Sequence, residues 1–195
     1  QQKISGRGSK PVLLSPSQAD MRSQSETSDD DSDDDAQQRG IAIHFCLDAL
    51  SRSKPLSHAQ LRKQLQYTFN TLQPALLNEC ISIAMKVIQH EDLRTVFQSE
   101  GLLKFYNECP IQYTLDDQAV YGIIDRLLVS ADRVLIVDYK THQQATKQNM
   151  AMLAANYQQQ MQLYATGVRQ LWPDKKVEAC LLFTECYALQ PVSVN

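Results

Sequence analysis

Two aspartates and a lysine near the middle of the chain have the residue types and spacing of a site that binds a cation. Asp125 lies in the apolar run 120–128, and Asp138 and Lys140 lie in the run 134–140. The polar stretch 130–133 predicts a turn, and a symmetric hairpin about it pairs positions whose numbers add to 263, as those of the two aspartates do. Opposed side chains share a face, and Lys140 joins it because strand side chains alternate. Such charges on an apolar hairpin are costly unless a cation is held there, so a divalent-metal site is predicted.

The chemistry of this group is that of phosphate ester hydrolysis. Mg²⁺ or Mn²⁺ prefers oxygen ligands and keeps bound waters, one of which can act as a nucleophile. Lys140 can orient or deprotonate that water, or stabilise charge on phosphorus. The alternative is that Asp125 and Asp138 are strand-end charges that reach water or pair with Arg126 and Lys140. The aliphatic run before each aspartate and the Asp-x-Lys spacing weaken that alternative.

Other candidates have an ordinary reading beside the functional one. His44 lies on an otherwise apolar face of the first predicted helix, where a histidine is more often a core or capping residue, but imidazole also binds Mn²⁺. Glu108 is a charge at the start of a strand, or an outer metal ligand if that strand neighbours the hairpin. Tyr157, Gln160 and Tyr164 form one helical stripe. Such stripes are usually half-buried packing, but these residue types also bond phosphate or stack on a base.

The elements around these residues predict a mixed α/β domain. From Gly40 the helical period begins, with an apolar face at Ile41, His44, Phe45, Leu47 and Leu50. A second helix is predicted from a Ser57 N-cap and a third from Pro74. A short helix within 92–106, a strand over 106–115, the hairpin, one long helix over 149–171 and strands over 177–183 and 187–192 follow. The expected fold is a sheet flanked by helices, with a helical region in front.

Composition divides the chain at about residue 40. Residues 1–39 are rich in Ser, Asp and Gln, and carry five Lys/Arg and eight Asp/Glu. They predict a flexible acidic linker, and residues 40–195 predict one globular domain. That domain has 14 residues of each charge, so it lacks the basic surface of a stand-alone nucleic-acid binder. The missing initial Met suggests a piece of a larger protein.

The cysteines and the apolar runs narrow the class further. Five cysteines at wide, irregular spacing favour reduced thiols and a cytoplasmic protein over a disulfide framework. No Cys/His spacing fits zinc or an iron–sulfur cluster, and no run of the sequence is apolar enough to cross a membrane. A P-loop motif is also missing, so no ATPase is predicted in this sequence.

Four motifs in order resemble the RecB/AddA-type nuclease domain of the PD-(D/E)XK superfamily. They are Gly-x-x-x-His at 40–44, Gly-Ile-Ile-Asp-Arg at 122–126, Val-Asp-Tyr-Lys-Thr at 137–141 and Tyr-Gln-Gln-Gln-Met-Gln-Leu-Tyr at 157–164. The resemblance spans 40–190 and implies a restriction-endonuclease-like fold. In that branch the domain usually forms the C-terminal part of a UvrD-like helicase. Two departures are Ile124, where the superfamily's nominal proline precedes the first aspartate, and the absent cluster of four cysteines.

The resemblance implies a role for each candidate. His44, Asp125, Asp138 and the backbone carbonyl of Tyr139 would bind Mg²⁺ or Mn²⁺, and Lys140 would be the catalytic lysine. Gln160, Tyr164 and Tyr157 would contact DNA, and Glu108 would be an outer ligand. These roles imply a metal-dependent DNA exonuclease that receives single strand from helicase domains during recombination or repair. The alternative function is a catalytically silent DNA-binding or scaffolding module of a repair helicase.

Overall fold

The computed structural model describes Leu13–Leu14 and residues 30–195, with side chains from residue 35 onward. The helices in this part are α1 Asp30–Ser51, α2 His58–Thr68, α3 Pro74–Gln89, α4 Arg94–Phe97, α5 Met150–Ala155 and α6 Gln158–Leu171, with a 3₁₀ turn at Glu91–Leu93 before α4. The strands are β1 Leu13–Leu14, β2 Lys104–Leu115, β3 Gln118–Val129, β4 Arg133–Lys140, β5 Lys176–Phe183 and β6 Ala188–Val192. None of the described helices is both long and apolar enough to span a membrane.

These strands form one mixed sheet. β3 pairs antiparallel with β2 over nearly its whole length, and antiparallel with β4 over 126–129. β4 pairs parallel with β5, and β5 pairs antiparallel with β6, while β1 lies parallel beside Ala119–Val120. A parallel pair needs a crossover connection, which α5 and α6 provide between β4 and β5. The predicted fold, a mixed sheet flanked by helices with a helical region in front, is confirmed.

The local predictions hold where sequence chemistry fixes them. The β3–β4 ladder runs from Arg126–Val137 to Val129–Val134, so its pairs add to 263 as predicted. Ser57 caps α2 with a reciprocal bond to Gln60, and Pro74 opens α3. Both features satisfy or remove backbone N–H groups that have no partner within the helix.

Two apolar cores lie on opposite faces of the sheet. On one face α1, α2 and α3 pack over Leu128, Val137 and Tyr139. On the other face α6 packs over Leu127 and Ile136. This second contact is close, because a Cβ at Gly167 of α6 would lie 2.8 Å from the ring of Tyr113. The site residues are therefore held between two layers of helices.

The first helix begins earlier than predicted and buries a different face. α1 starts at Asp30, where a run of acidic residues favours a helix N-terminus through the helix dipole. Arg39 is buried and ion-paired to Glu79 and Glu185 at 3.0 and 2.8 Å. Ile41 is 52% exposed, so its predicted burial is wrong, and Ala42, Ile43, Cys46 and Leu47 form the buried face instead. Residues 1–12 and 15–29 of the predicted acidic linker lie outside the described residues.

The predicted long helix over 149–171 is wrong in one respect, because two helices occupy that span. The backbone N–H groups of Asn156 and Tyr157 donate to Leu153 and Ala154, three residues back, and this tight turn ends α5. Tyr157 then precedes α6, with its ring buried against Lys140. The break places an aromatic ring on the site that a continuous helix would carry elsewhere.

Candidate active site

The side-chain alternation of β2 and β3 is broken at the site. In β3, Ile124 and Leu127 both face the α6 core, which leaves Asp125 and Arg126 directed towards the α1 side. The adjacent strand β2 has a left-handed backbone at Glu108, with φ 47°. This conformation is uncommon for a residue other than glycine. Pairing lapses between Glu108 and Asp125, although 107–126 and 109–124 are paired. The irregular backbone brings charged side chains to one place.

Asp125 is held by two elements. Nδ1 of His44, on α1, lies 3.1 Å from Asp125 Oδ1. The backbone N–H of Tyr139, on β4, donates to Asp125 Oδ2 at 2.6 Å. The ring of Tyr139 packs edge-on against the His44 ring at 5.5 Å. The functional interpretation of His44 therefore has a geometric basis: this histidine faces the carboxylate rather than a sealed apolar core.

Glu108 completes a group of three metal-ligating side chains. One ligand atom each from His44, Glu108 and Asp125 lies within 4.8 Å of the others. Glu108 was predicted as an outer ligand only, and the structure places it beside the other two. Its neighbour Asn107 is fixed by bonds to Ser51 Oγ and the Asp48 carbonyl, which anchors this part of β2 to α1.

Asp138 and Lys140 project to the other side of the sheet. Lys140 Nζ lies 2.9 Å from Asp138 Oδ2 and donates to Gln160 Oε1 of α6 at 3.0 Å. The prediction that Asp125, Asp138 and Lys140 share one face is wrong. The β3–β4 ladder ends at Arg126–Val137, one residue before the two aspartates, so side-chain orientation is no longer set by direct pairing. The site lies where these two strands separate.

The electrostatics differ between the two aspartates. Burial raises the pKa of Asp125, but His44 and the Tyr139 N–H outweigh it, and the pKa of Asp125 is lowered. Burial also raises the pKa of Asp138; Lys140 opposes this and Asp125 adds to it, and the pKa of Asp138 remains raised. Burial, followed by repulsion from Asp125, raises the pKa of Glu108 to about 7. An excess of buried carboxylates is the arrangement that a cation relieves.

The two basic groups are held in their charged forms. Burial lowers the pKa of His44, but Asp125 more than offsets it, so the pKa of His44 is raised. Burial likewise lowers the pKa of Lys140, and Asp138 reverses the effect, so the pKa of Lys140 is raised. The ammonium also lies 3.6 Å from the centre of the Tyr157 ring, a cation–π contact.

The residues predicted to contact DNA are buried and support Lys140. Gln160 Nε2 donates to the Tyr164 hydroxyl at 3.4 Å, and that hydroxyl donates to the Ile123 carbonyl at 2.7 Å. Tyr157 contacts the ring nitrogen of His142 through its hydroxyl. Gln160, Tyr164 and Tyr157 are only 3%, 1% and 6% exposed. Their contact with DNA stays a prediction, and the bonds described here orient the lysine.

Arg126 is a buried residue whose role was not predicted from the sequence. Its guanidinium donates to the Val96 carbonyl at 2.7 Å and to Asn107 Oδ1 at 2.5 Å. It lies between the rings of Phe97 and Phe105, at 5.3 and 4.8 Å. Arg126 thus fixes the strand segment that carries Glu108. Its place next to Asp125 was visible in the sequence, but its partners are far away along the chain.

The comparisons with known proteins agree with this arrangement. A family model described as the PD-(D/E)XK nuclease superfamily matches residues 17–191, and the chain belongs to that superfamily. The predicted resemblance is therefore confirmed at this level, and the chain is a nuclease domain by family.

Curated relatives are all named as the same kind of ATP-dependent helicase/nuclease component. The protein from Streptococcus equi subsp. zooepidemicus (strain MGCS10565) is 36% identical over 98 residues, 47% of this chain and 8% of that protein. The protein from Streptococcus uberis (strain ATCC BAA-854 / 0140J) is 26% identical over 159 residues, 74% and 12%. The protein from Lacticaseibacillus casei (strain BL23) is 27% identical over 168 residues, 74% and 13%. The chain thus spans about a tenth of the length of these relatives.

The donor set fits a hard divalent cation. Two carboxylates and an imidazole converge within 4.8 Å, and a third carboxylate, that of Asp138, is close enough to raise the pKa of His44. Oxygen donors with one imidazole suit Mg²⁺ or Mn²⁺ better than soft metals. No cysteine belongs to this group of ligands.

Proposed function

We propose that this chain is a divalent-metal-dependent DNA exonuclease domain of a larger helicase–nuclease that acts in recombination or repair. The observation that carries the proposal is the convergence of His44, Glu108 and Asp125 beside the buried Asp138–Lys140 pair. Membership of a nuclease superfamily and the helicase/nuclease names of the relatives support the same reaction class. The neutral charge of residues 40–195 favours single strand delivered by attached helicase domains.

The metal ligands in this proposal are His44, Asp125, Asp138 and the Tyr139 carbonyl, joined by Glu108. Mg²⁺ or Mn²⁺ bound there would supply the Lewis acid that polarises the phosphodiester and acidifies water. Asp125 is oriented for this role by the His44 ring and the Tyr139 N–H. These bonds fix both carboxylate oxygens before any ligand arrives.

Lys140 stabilises the negative charge that develops on the phosphate as water attacks phosphorus and the ester P–O bond breaks. Its raised pKa keeps the ammonium charged at neutral pH, which favours this role over proton abstraction. Asp138 and Gln160 aim the ammonium, and Tyr157 covers it. A charge aimed in a buried site needs little reorganisation during the reaction.

The test is cleavage of end-labelled single-stranded DNA by the purified chain with Mg²⁺ or Mn²⁺. Asp138→Ala is expected to abolish cleavage, and Asp174→Ala, an exposed aspartate in the loop before β5, is the matched control. Release of mononucleotides or short fragments from an end supports an exonuclease, whereas cleavage of circular single strand indicates an endonuclease. Metal-independent binding without cleavage in the full-length protein would support the silent module instead.

A further inference from the structure

The β2–β3 hairpin continues past the site as an exposed face without charged side chains. Tyr121 and Ile123 of β3 are 41% and 42% exposed. Opposite them on β2 lie Gln112 and Pro110, which are exposed as well. Below this face, Ile111 and Ile124 pack into the α6 core. These four exposed residues, Tyr121, Ile123, Gln112 and Pro110, are called the platform here.

The platform is continuous with the metal-ligating group. Ile123 and Tyr121 are two and four residues from Asp125 in the same strand, so their side chains lie on its face. At roughly 3.3 Å per residue they lie about 7 and 13 Å from Asp125. Stacked bases of one strand repeat every ~3.4 Å, so these distances correspond to roughly two and four nucleotides from a phosphate at the site. Ile41, also exposed, lies three residues before His44 on α1 and borders the same opening.

The platform is tied to the lysine that faces the reaction. The Ile123 carbonyl accepts from the Tyr164 hydroxyl, which accepts from Gln160, which in turn accepts from Lys140. A continuous chain of hydrogen bonds therefore links the backbone of the platform to the ammonium. A strand lying on the platform is thus held at a fixed distance from Lys140.

We infer that the platform binds the unpaired bases of a single nucleic-acid strand, with one base stacked on the Tyr121 ring and another against Ile123. None of the four side chains is charged, so this face offers nothing for the paired backbones of a duplex, whose binding depends on neutralised phosphates. An aromatic and an aliphatic side chain suit the flat faces of unpaired bases of any sequence. The inference rests on the proposed function, since it assigns the strand that the site would cut.

The experiment compares Tyr121→Ala with Tyr67→Ala in the 195-residue chain. Tyr67 is 86% exposed on α2 and serves as the matched tyrosine control. The readout is the ratio of kcat/KM for a single strand of about ten nucleotides to kcat/KM for a dinucleotide, which cannot span site and platform together. Tyr121→Ala should lower this ratio by roughly tenfold, as expected for the loss of one stacked base. Tyr121→Phe should restore it, and Tyr67→Ala should leave it unchanged.

A binding measurement separates failure of this inference from failure of the proposed function. Quenching of 2-aminopurine in a single strand, recorded with EDTA, reports stacking without cleavage. If the wild-type chain cleaves nothing but loses quenching in Tyr121→Ala, the platform stands and the nuclease proposal fails. If Tyr121→Ala matches Tyr67→Ala in both assays, the platform is overturned. Equal competition by duplex DNA, or a dimer that Tyr121→Ala dissolves, would also overturn it.

Discussion

Asp125 and Asp138 follow the last pair of the same ladder, yet different parts of the fold hold them. Asp125 belongs with His44 and Glu108, on the side of α1, and this group is called the His44 side. Asp138 belongs with Lys140 and Gln160, against α6, and this group is called the Lys140 side. The pKa of Asp125 is lowered by its partners, whereas burial leaves the pKa of Asp138 raised.

This difference indicates a division of labour. Groups whose environments move their pKa values apart often have separate roles in one reaction. The His44 side offers converging ligand atoms, and the Lys140 side offers one aimed cation. Variants of the His44 side should therefore change the metal requirement, and variants of the Lys140 side should change kcat at saturating metal.

The largest effect is expected for Lys140→Ala, which removes the aimed charge. Loss of one preorganised electrostatic group costs roughly 100- to 1,000-fold in kcat. The Mg²⁺ or Mn²⁺ concentration for half-maximal cleavage should stay unchanged, with Lys63→Ala of α2 as an exposed control. Steady-state rates across a metal titration measure both quantities. A large shift in metal requirement would contradict the division.

His44→Ala should act mainly on metal. Removing the imidazole takes away a ligand and frees Asp125 Oδ1, so we expect the half-saturating metal concentration to rise about 10- to 100-fold. Excess metal should recover much of the rate. His58→Ala, at an exposed position on α2, is the matched control. If the rate is not recovered at any metal concentration, His44 takes part in the chemistry itself.

Gln160→Leu should lower kcat by about tenfold without changing the metal requirement. The substitution removes the acceptor that orients Lys140 and the donor to Tyr164, while it preserves the buried volume. Gln159→Leu, an exposed neighbour on α6, is the control. An increase in KM with unchanged kcat would indicate instead that Gln160 contacts the DNA, as the resemblance implies.

The smallest effect is expected for Tyr139→Phe. Among the described residues, the Tyr139 hydroxyl is buried without a hydrogen-bond partner, and burial raises its pKa. Removal of an unsatisfied hydroxyl should leave the free energy of unfolding unchanged or raise it by about 1 kcal/mol. Denaturant titration measures this change. Destabilisation by the same amount would show that the hydroxyl has a partner, such as bound water.

Local sequence chemistry was sufficient for the elements and the candidates. The apolar runs, the turn and the residue numbers predicted the 263 register, and Ser57 and Pro74 predicted two helix starts. These features depend on neighbours within a few residues, whose preferences are strong. The motif order likewise led to the family, which the family model confirms.

Tertiary structure decided which side chains meet. Strict alternation placed Asp125, Asp138 and Lys140 on one face, but the left-handed backbone at Glu108 and the end of the ladder separate them. The break before α6 and the position of Arg126 also depend on residues that are distant in sequence. Packing between two layers of helices sets these contacts, and no periodicity in a single strand or helix contains that information. The sequence therefore determined the elements and the reactive groups, and the packed sheet decided how those groups are divided between its two faces.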